Sequence, residues 1–365
     1  MTTNRIVLAV TNDLNFDQRM IRICASLKNA GYAVTIIGFK RKNSPPLTKR
    51  PYKQKRLSII AEQGKLLYVH FWIKLFVRLL FIKADIFCAI DLDTVVPVYA
   101  ASRLRNKKRV YDAHELFTEL QEVVTRPKIY KMWKAIEAYM VPRFPVGYTV
   151  GAYIAREFHK RYAVNYHLVR NMTVLKPLSI PRKEERYILY QGAVNIGRCF
   201  EYLIPAMKHV NAQLIVCGAG NFYSEAIEIT HKLGLESKIT FKGYVAPEEL
   251  GDYTLHAYVG ITLFEAIGPS NKMSLANRFF DYMHSGVPQI CMEYPEYMRI
   301  NEEFEVAHLI DEPTPEKIAQ GLNLLLNDGE YYEKLQRNCL KAREKYCWQE
   351  EEKTLIKVYK DLATA

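Results

Sequence analysis

Acidic residues are missing altogether from residues 40–56, "KRKNSPPLTKRPYKQKR", where eight Lys or Arg stand unopposed. Pro45, Pro46 and Pro51 exclude a helix, so the stretch is expected to be a loop, either solvated or held against an anionic surface. Cysteines at Cys-x-x-Cys spacing are missing too: Cys24, Cys88, Cys199, Cys217, Cys291, Cys339 and Cys347 stand apart. That removes the zinc and disulfide signals. Cysteines set in apolar strands and helix faces are expected to stay reduced, which points to a reducing compartment. The opening "MTTNRIVLAVTND" has too short an apolar run for a signal peptide, so a cytoplasmic chain is expected. Internal repeats and low-complexity runs are absent, which excludes solenoids and disordered polymers. No recognition-helix or RNP-type motif accompanies the basic residues, so nucleic acid is not the expected partner.

What is present is ample core material. Hydrophobic residues make up 49% of 365, enough for two domains of ordinary size. The net charge of +12 implies an anionic partner: acidic lipid, nucleic acid or a phosphorylated small molecule. Short apolar runs alternate with helical patterns from end to end. Strands are expected at 5–10, 33–39, 57–61, 86–90, 109–113, 147–151 and 166–170. Between the first two, Met20, Ile23, Cys24 and Leu27 lie on one helical face, closed by Gly31. Residues 176–186, "KPLSIPRKEER", break the rhythm and mark a linker. Strands then resume at 187–192, 213–218, 238–243, 258–264, 288–292 and 308–310, with Phe200, Leu203, Ile204 and Met207 on one face of the first helix. The expected architecture is α/β: two doubly wound, Rossmann-like parallel sheets, over 1–175 and 187–345, with a closing helix over 346–365. Trp348, Leu355, Tyr359 and Leu362 recur at helical intervals in that last segment.

In such sheets ligands sit beyond the carboxyl ends of the strands. After 187–192 comes "YQGAVNIGRCF". Gly192 and Gly197 allow close backbone approach, and Arg198 brings a planar cation to the start of a helix, which suits a phosphate. The alternative is an ordinary strand–turn–helix with a surface arginine. The loop is neither Gly-x-Gly-x-x-Gly nor a Walker loop. "DAHEL" puts His114 just past a strand, where Asp112 and Glu115 would satisfy its ring nitrogens. "DLD", with Asp91 and Asp93, reads as a metal site or as a turn with Asp93 capping the next helix; with no third ligand in view, the cap is preferred and no metal is expected. In "SLANRFFDYMHSGVPQI" (274–290), Phe279, Phe280 and Met283 would bury, and Gly286 and Pro288 end the helix. Asp281 there either faces solvent, pairs with Arg278 or holds a ligand.

Together, "TNDLNFDQRM", "IDLDTVVPVYAAS", "VYDAHELFTEL", "YQGAVNIGR", "NRFFDYMHSGVPQI" and "CWQEEEKTLIKVYKDL" resemble glycosyltransferase family 4. These are retaining nucleotide-sugar transferases of the GT-B fold, and the likeness is to the bacterial branch that builds surface polysaccharides. The resemblance implies two Rossmann-like domains facing each other across a cleft, with the last helix crossing back to the first domain. It implies a nucleotide-diphosphate sugar as donor and a glycan or lipid-linked acceptor, with no cofactor and no divalent metal. It assigns His114, Arg198 and Arg278 to catalysis, Arg198 and Arg278 facing the diphosphate and His114 the donor sugar. Gly192, Gly197, Arg198, Tyr244, Lys272, Asn277 and Asp281 would bind the donor. Asn12, Asp13, Asp91 and Asp93 would lie on the acceptor side. At Asp281 the family usually has glutamate, which accepts from the ribose hydroxyls. Its Glu-x7-Glu pattern wants an acid at 273, where this chain has Met273; Asn271, Lys272 and Ser274 surround the gap as polar donors, and Glu265 does not fit the spacing.

Residues 66–82, "LLYVHFWIKLFVRLLFI", carry His70, Lys74 and Arg78 as one narrow polar stripe. Two certain charges make a spanning helix unsuitable. A core helix with one wet edge and a helix in the headgroup region both fit. With the loop 40–56 and "RPKIYKMWK" (126–134), this gives a basic first domain suited to the inner face of the cytoplasmic membrane. Two other functions fit less of the pattern: a nucleotide-sugar epimerase on the same fold, and a non-enzymatic polyanion-binding protein.

Overall fold

The computed structural model describes residues 4–59, 64–181, 185–266, 272–273 and 275–364. The chain divides into two compact units, Met1–Asn171 with Glu350–Ala365, and Met172–Gln349. The division falls just ahead of the proline-containing stretch 176–186. Residues after 171 are tied into the second unit by hydrogen bonds: Trp348 N donates to Thr173 O, Leu175 N donates to Gln349 Oε1, and Gln349 Nε2 donates to Leu175 O, each at 2.9 Å.

The first unit holds a seven-stranded sheet in the order β3-β2-β1-β4-β5-β6-β7. Its strands are β1 (Arg5–Ala9), β2 (Ala33–Lys40), β3 (Lys53–Ser58), β4 (Ile86–Ile90), β5 (Lys108–Ala113), β6 (Gly147–Thr149) and β7 (His167–Leu168). The second unit holds a six-stranded sheet in the order β10-β9-β8-β11-β12-β13. Its strands are β8 (Tyr187–Gln191), β9 (Gln213–Cys217), β10 (Ile239–Gly243), β11 (Val259–Thr262), β12 (Gln289–Met292) and β13 (Ala307–Ile310). Every pairing is parallel. Continuous apolar runs cause this: β4, β11 and β12 are buried along their whole length, as strands covered on both faces must be.

The helix Gln18–Asn29 follows the expected face. Met20, Ile23, Cys24 and Leu27 are buried, Asp17 caps its first turn by accepting from Met20 N at 3.0 Å, and Gly31 leaves it at φ 93°. The helix Asn277–His284 buries Phe279, Phe280 and Met283 and ends at Gly286, φ 63°. All seven cysteines are buried and none forms a disulfide.

Three expectations need correction. The basic stretch 40–56 is not loop throughout, because Lys53–Ser58 pairs with Thr35–Lys40 as the edge strand. Its sequence, "KQKRLS", reads as loop by polarity, yet lysines are what an exposed sheet edge carries. Part of the strand expected at 57–61 lies outside the described residues. The wet edge of the helix Gly64–Phe81 is its aliphatic side: Phe71, Leu75 and Leu79 are buried, while Leu66, Val69, Ile73, Val77 and Phe81 are exposed. His70, Lys74 and Arg78 are half-buried between the two, and Lys74 Nζ donates to Ser58 O at 2.6 Å. Trp133 is an inner residue, in edge contact with Tyr68, Trp72 and Phe117. No helix among the described residues is long and apolar enough to cross a membrane.

Candidate active site

Each sheet reverses its strand order once, between β1 and β4 in the first unit and between β8 and β11 in the second. A crevice opens at such a switch point, so the loops leaving those four strands are where chemistry is expected.

In the second unit, the loop after β8 is fixed from several sides. Gly192 N donates to Cys217 O at 3.0 Å and Val194 N to Ala219 O at 3.1 Å. Asn195 and Asn221 exchange side-chain and backbone bonds: Asn221 N donates to Asn195 Oδ1, and Ile196 N to Asn221 Oδ1, each at 3.0 Å. Glu265 N, from the loop after β11, donates to Gly197 O at 2.9 Å. Gly192 has φ 123° and Gly197 φ 78°, backbone that side chains resist. The close packing also needs Gly218, where a Cβ would stand 1.8 Å from Gly192 O.

Two arginines converge on this loop. Arg278, from the first turn of the helix Asn277–His284, is buried, and its Nη1 donates to Gln191 O at 3.1 Å. Its guanidinium lies 4.6 Å from the Tyr190 ring centroid, and its Nε is buried with no partner. Arg198 lies ahead of the helix Phe200–Ala206 rather than inside it, separated from it by Cys199 at φ 61°. Its guanidinium sits 5.7 Å from the Phe264 ring centroid. Burial, and after it the charge of Arg278, lowers the Arg198 pKa. Neither arginine is ion-paired among the described residues. A buried cation beside a half-buried one, neither paired with a carboxylate, is costly unless an anion joins them.

Asp281 is turned to polar neighbours. Thr173 Oγ1 donates to its Oδ1 at 2.7 Å and Gln191 Nε2 to its Oδ2 at 3.2 Å. Gln191 is fixed in turn by Thr254 Oγ1, which donates to its Oε1 at 2.7 Å. Gly192, Gly197, Arg198, Arg278 and Asp281 are thus brought around one loop. Tyr244 follows β10 and is exposed, as are Lys272 and Asn277. Met273 is half-buried, and Asn271 and Ser274 lie outside the described residues. Sequence reasoning missed Thr173, Gln191 and Gly218.

In the first unit, the switch point gathers acids around one histidine. His114 Nδ1 lies 3.2 Å from Asp91 Oδ2 and its Nε2 3.2 Å from Asp112 Oδ2. Its backbone N donates to Asp91 Oδ1 at 2.8 Å. Burial acts to lower the His114 pKa, but Asp91 and Asp112 outweigh it and push it up to about 10, so the ring is imidazolium at neutral pH. Asp112 is also met by Arg19 Nη2 at 2.9 Å, a pair with both side chains buried. Asp91 takes φ 55°, which turns the chain so that Asp93 does not cap the following helix. That helix, Val95–Leu104, has Thr94 at its N-cap with no side-chain capping bond. Instead Asp93 is buried, accepts from Thr11 Oγ1 of the loop after β1, and is pushed up to about 7 by burial and then by Asp91. No group of three His, Cys, Asp or Glu among the described residues is placed to hold a metal ion.

Asn12 and Asp13 line a separate pocket of about 430 Å³ with Phe16, Asp17, Arg41, Asn43, Ser44 and Pro45. Asp13 meets Arg56 Nη1 at 3.1 Å. Burial works against its ionisation, but bonds from Ser44, Asn15 and Arg56 hold its pKa below the ordinary carboxylate value.

Residues 176–342, which include this loop and both arginines, match the family model described as glycosyl transferases group 1. The match lies within the second unit. A curated relative, an uncharacterized glycosyltransferase of Methanocaldococcus jannaschii, is 26% identical over 182 residues, covering 48% of this chain and 45% of its own length. The matched stretch thus spans about half of either protein. Among solved structures, sucrose-phosphate synthase from Thermosynechococcus elongatus matches with a TM-score of 0.80 at 16% identity, over 99% of each chain. The Anabaena protein HepE, solved with UDP-glucose, matches with a TM-score of 0.77 at 11% identity, over 98% of this chain and 99% of its own. The fold is that of the GT-B glycosyltransferases, and the group 1 match lies in its second half.

Proposed function

We propose that this protein is a retaining glycosyltransferase that moves a hexosyl group from a nucleotide-diphosphate sugar to a glycan or lipid-linked acceptor. One observation carries the proposal: Arg198 and Arg278 meet at the Gly192–Gly197 loop, and neither is ion-paired with a carboxylate among the described residues. A diphosphate supplies the missing charge. As the donor bond breaks, charge gathers on the leaving diphosphate, and fixed cations in a site poor in water stabilise it without reorganising. The two guanidinium groups take the role that a divalent metal plays elsewhere, so the reaction is proposed to be metal-independent. Asp281, already oriented by Thr173 and Gln191, accepts from the ribose diol. The solved HepE complex with UDP-glucose and a Staphylococcus aureus TarM complex with UDP support a nucleotide-sugar donor.

Under this reading Tyr244, Lys272 and Asn277 border the donor, His114 meets the donor sugar, and Asn12, Asp13, Asp91 and Asp93 serve the acceptor. Same-face attack by the acceptor hydroxyl, with its proton passing to the leaving phosphate, retains configuration. A role in surface polysaccharide synthesis is suggested by the lipopolysaccharide outer core galactosyltransferase WaaB, whose fold this chain shares with a TM-score of 0.68. The test incubates the full chain with a panel of nucleotide sugars, with and without glycan acceptors and excess chelator. Release of nucleoside diphosphate that depends on acceptor and survives chelator is expected. Conversion of the donor without acceptor would mark an epimerase, and loss in chelator with rescue by manganese would restore a metal.

A further inference from the structure

The helix Gly64–Phe81 buries one side and leaves its aliphatic side uncovered. Leu66 is 72% exposed, Val69 52%, Ile73 58%, Val77 49% and Phe81 79%. The spacing places them in one stripe about 22 Å long at 1.5 Å per residue. Single exposed apolar residues are ordinary, but a continuous stripe on one helix is costly in water unless something covers it. The stripe is held rigidly: Phe71, Leu75 and Leu79 anchor the opposite side, and Tyr68 and Trp72 lock against Trp133 of the helix Pro127–Met140.

Charge decides what covers it. Just past Phe81, Ile82 and Lys83 enter the wall of a pocket of about 600 Å³ at the amino ends of β1, β2 and β3. Its lining also holds Arg5, Lys28, Arg50, Lys53 and Lys55, and no Asp or Glu. Among the described residues, Arg5 alone of these cations is ion-paired, with Asp85 at 3.1 Å, which lies outside that lining. The pocket lies at the opposite ends of the strands from the Asp91–His114 cluster, so it is not part of that site. An apolar stripe running into a basic pocket is complementary to acyl chains bordered by anionic headgroups. It is not complementary to a second copy of this chain, whose same surface is also cationic.

We propose that this surface docks the protein onto an anionic lipid leaflet, with the helix Gly64–Phe81 lying in the plane of the interface. Leu66, Val69, Ile73, Val77 and Phe81 enter the acyl boundary, and Lys53, Lys55 and Lys83 face headgroup phosphates. The two contributions separate experimentally. Lysines act through a field that salt screens over about 8 Å at physiological strength, whereas apolar insertion resists salt.

The test is flotation of the full chain with vesicles of phosphatidylglycerol and phosphatidylcholine, against phosphatidylcholine alone, at low and high salt. Wild type is expected to float with the anionic vesicles and to lose most of that binding as salt rises. Lys53→Gln/Lys55→Gln/Lys83→Gln is expected to weaken binding on the order of a hundredfold, about fivefold per cation. Val69→Ser/Ile73→Ser/Val77→Ser is expected to remove the part that survives high salt. All these positions are exposed except the half-buried Lys55, whose lysine-to-glutamine change removes charge and little volume, so both variants keep the wild-type melting temperature and nucleotide binding. No flotation with anionic vesicles at low salt overturns the proposal, as does equal flotation with neutral vesicles. So does a serine variant that floats like wild type. A serine variant that instead turns a dimer into a monomer in light scattering would assign the stripe to self-association.

Discussion

Arg278 donates from Nη1 to the main-chain oxygen of Gln191 at 3.1 Å, so a buried cation is held by a backbone carbonyl where a carboxylate would be expected. The carbonyl fixes the guanidinium without cancelling its charge. Gln191 is the last residue of β8, and its own side chain steadies Asp281. One residue thus orients both the cation proposed for the diphosphate and the acid proposed for the ribose.

Arg198→Ala removes the second cation. Loss of one preorganised transition-state contact costs about 3 kcal/mol, or about a hundredfold in kcat. Because Arg198 is not ion-paired among the described residues, its loss leaves no carboxylate stranded, and the melting temperature should hold or rise. Transfer at the wild-type rate would remove Arg198 from the site.

The acids around His114 set a pH dependence of stability. Folding raises the Asp93 carboxyl from 3.8 to about 7, through burial first and then Asp91. A raised carboxyl favours the folded state below the unfolded value, and that advantage is lost as pH climbs from about 4 to 7. His114, raised from 6.5 to about 10, contributes fully below pH 6.5 and loses its contribution toward pH 10. These two groups make stability fall from about pH 4 to pH 10, while the lowered carboxyls of Asp13 and Asp112 work the other way and cost stability as pH drops below about 4. Asp93→Asn should flatten the lower limb and raise stability at pH 8 by on the order of 2 kcal/mol. Urea midpoints against pH read this directly; an unchanged lower limb in the variant would show that Asp93 ionises normally.

Arg19→Met tests the buried pair beneath His114. It leaves Asp112 fully buried with only the imidazole beside it. Removing one partner of a buried pair typically costs about 3–5 kcal/mol. Chemical denaturation should show that loss, and a change below about 1 kcal/mol would mean the pair is not desolvated as described.

Gly218→Ala pushes a Cβ to 1.8 Å from Gly192 O, which is backbone and has no rotamer to yield. The β8 loop must move. Overpacking of this kind costs about 1–3 kcal/mol, and nucleotide affinity should fall with it. Wild-type affinity in the variant would mean that the loop position does not matter for binding.

The strands were legible because buried parallel strands are written as apolar runs between turn residues, as in "IFCAI" and "PQICM". The edge strand Lys53–Ser58 was not, because a sheet edge is selected for charge and so reads as loop. At the site, Arg198, Gly192 and Asp281 could be found because they cluster in local motifs. Thr173 could not: it reaches Asp281 across 108 residues of sequence, with no pattern to link them. Arg19 was hidden for another reason. It lies beside Met20 on a helix whose periodicity marks the apolar face, and only the fold shows its guanidinium turned inward to Asp112. His114 was visible with Asp112 beside it in sequence, but its second acid, Asp91, comes from the neighbouring strand end.

The central claim, that Arg198 and Arg278 await a diphosphate, is tested most directly by thermal shift of the full chain. The ligands are a nucleoside, its monophosphate and its diphosphate, for each common base, in chelator. A ligand at a hundredfold excess over its dissociation constant adds about 2.7 kcal/mol of stability. The expected result is a rise in melting temperature with at least one diphosphate, clearly larger than with the matching nucleoside, and abolished in Arg198→Ala/Arg278→Ala. No shift with any diphosphate, or equal shifts with nucleoside and diphosphate, would contradict it.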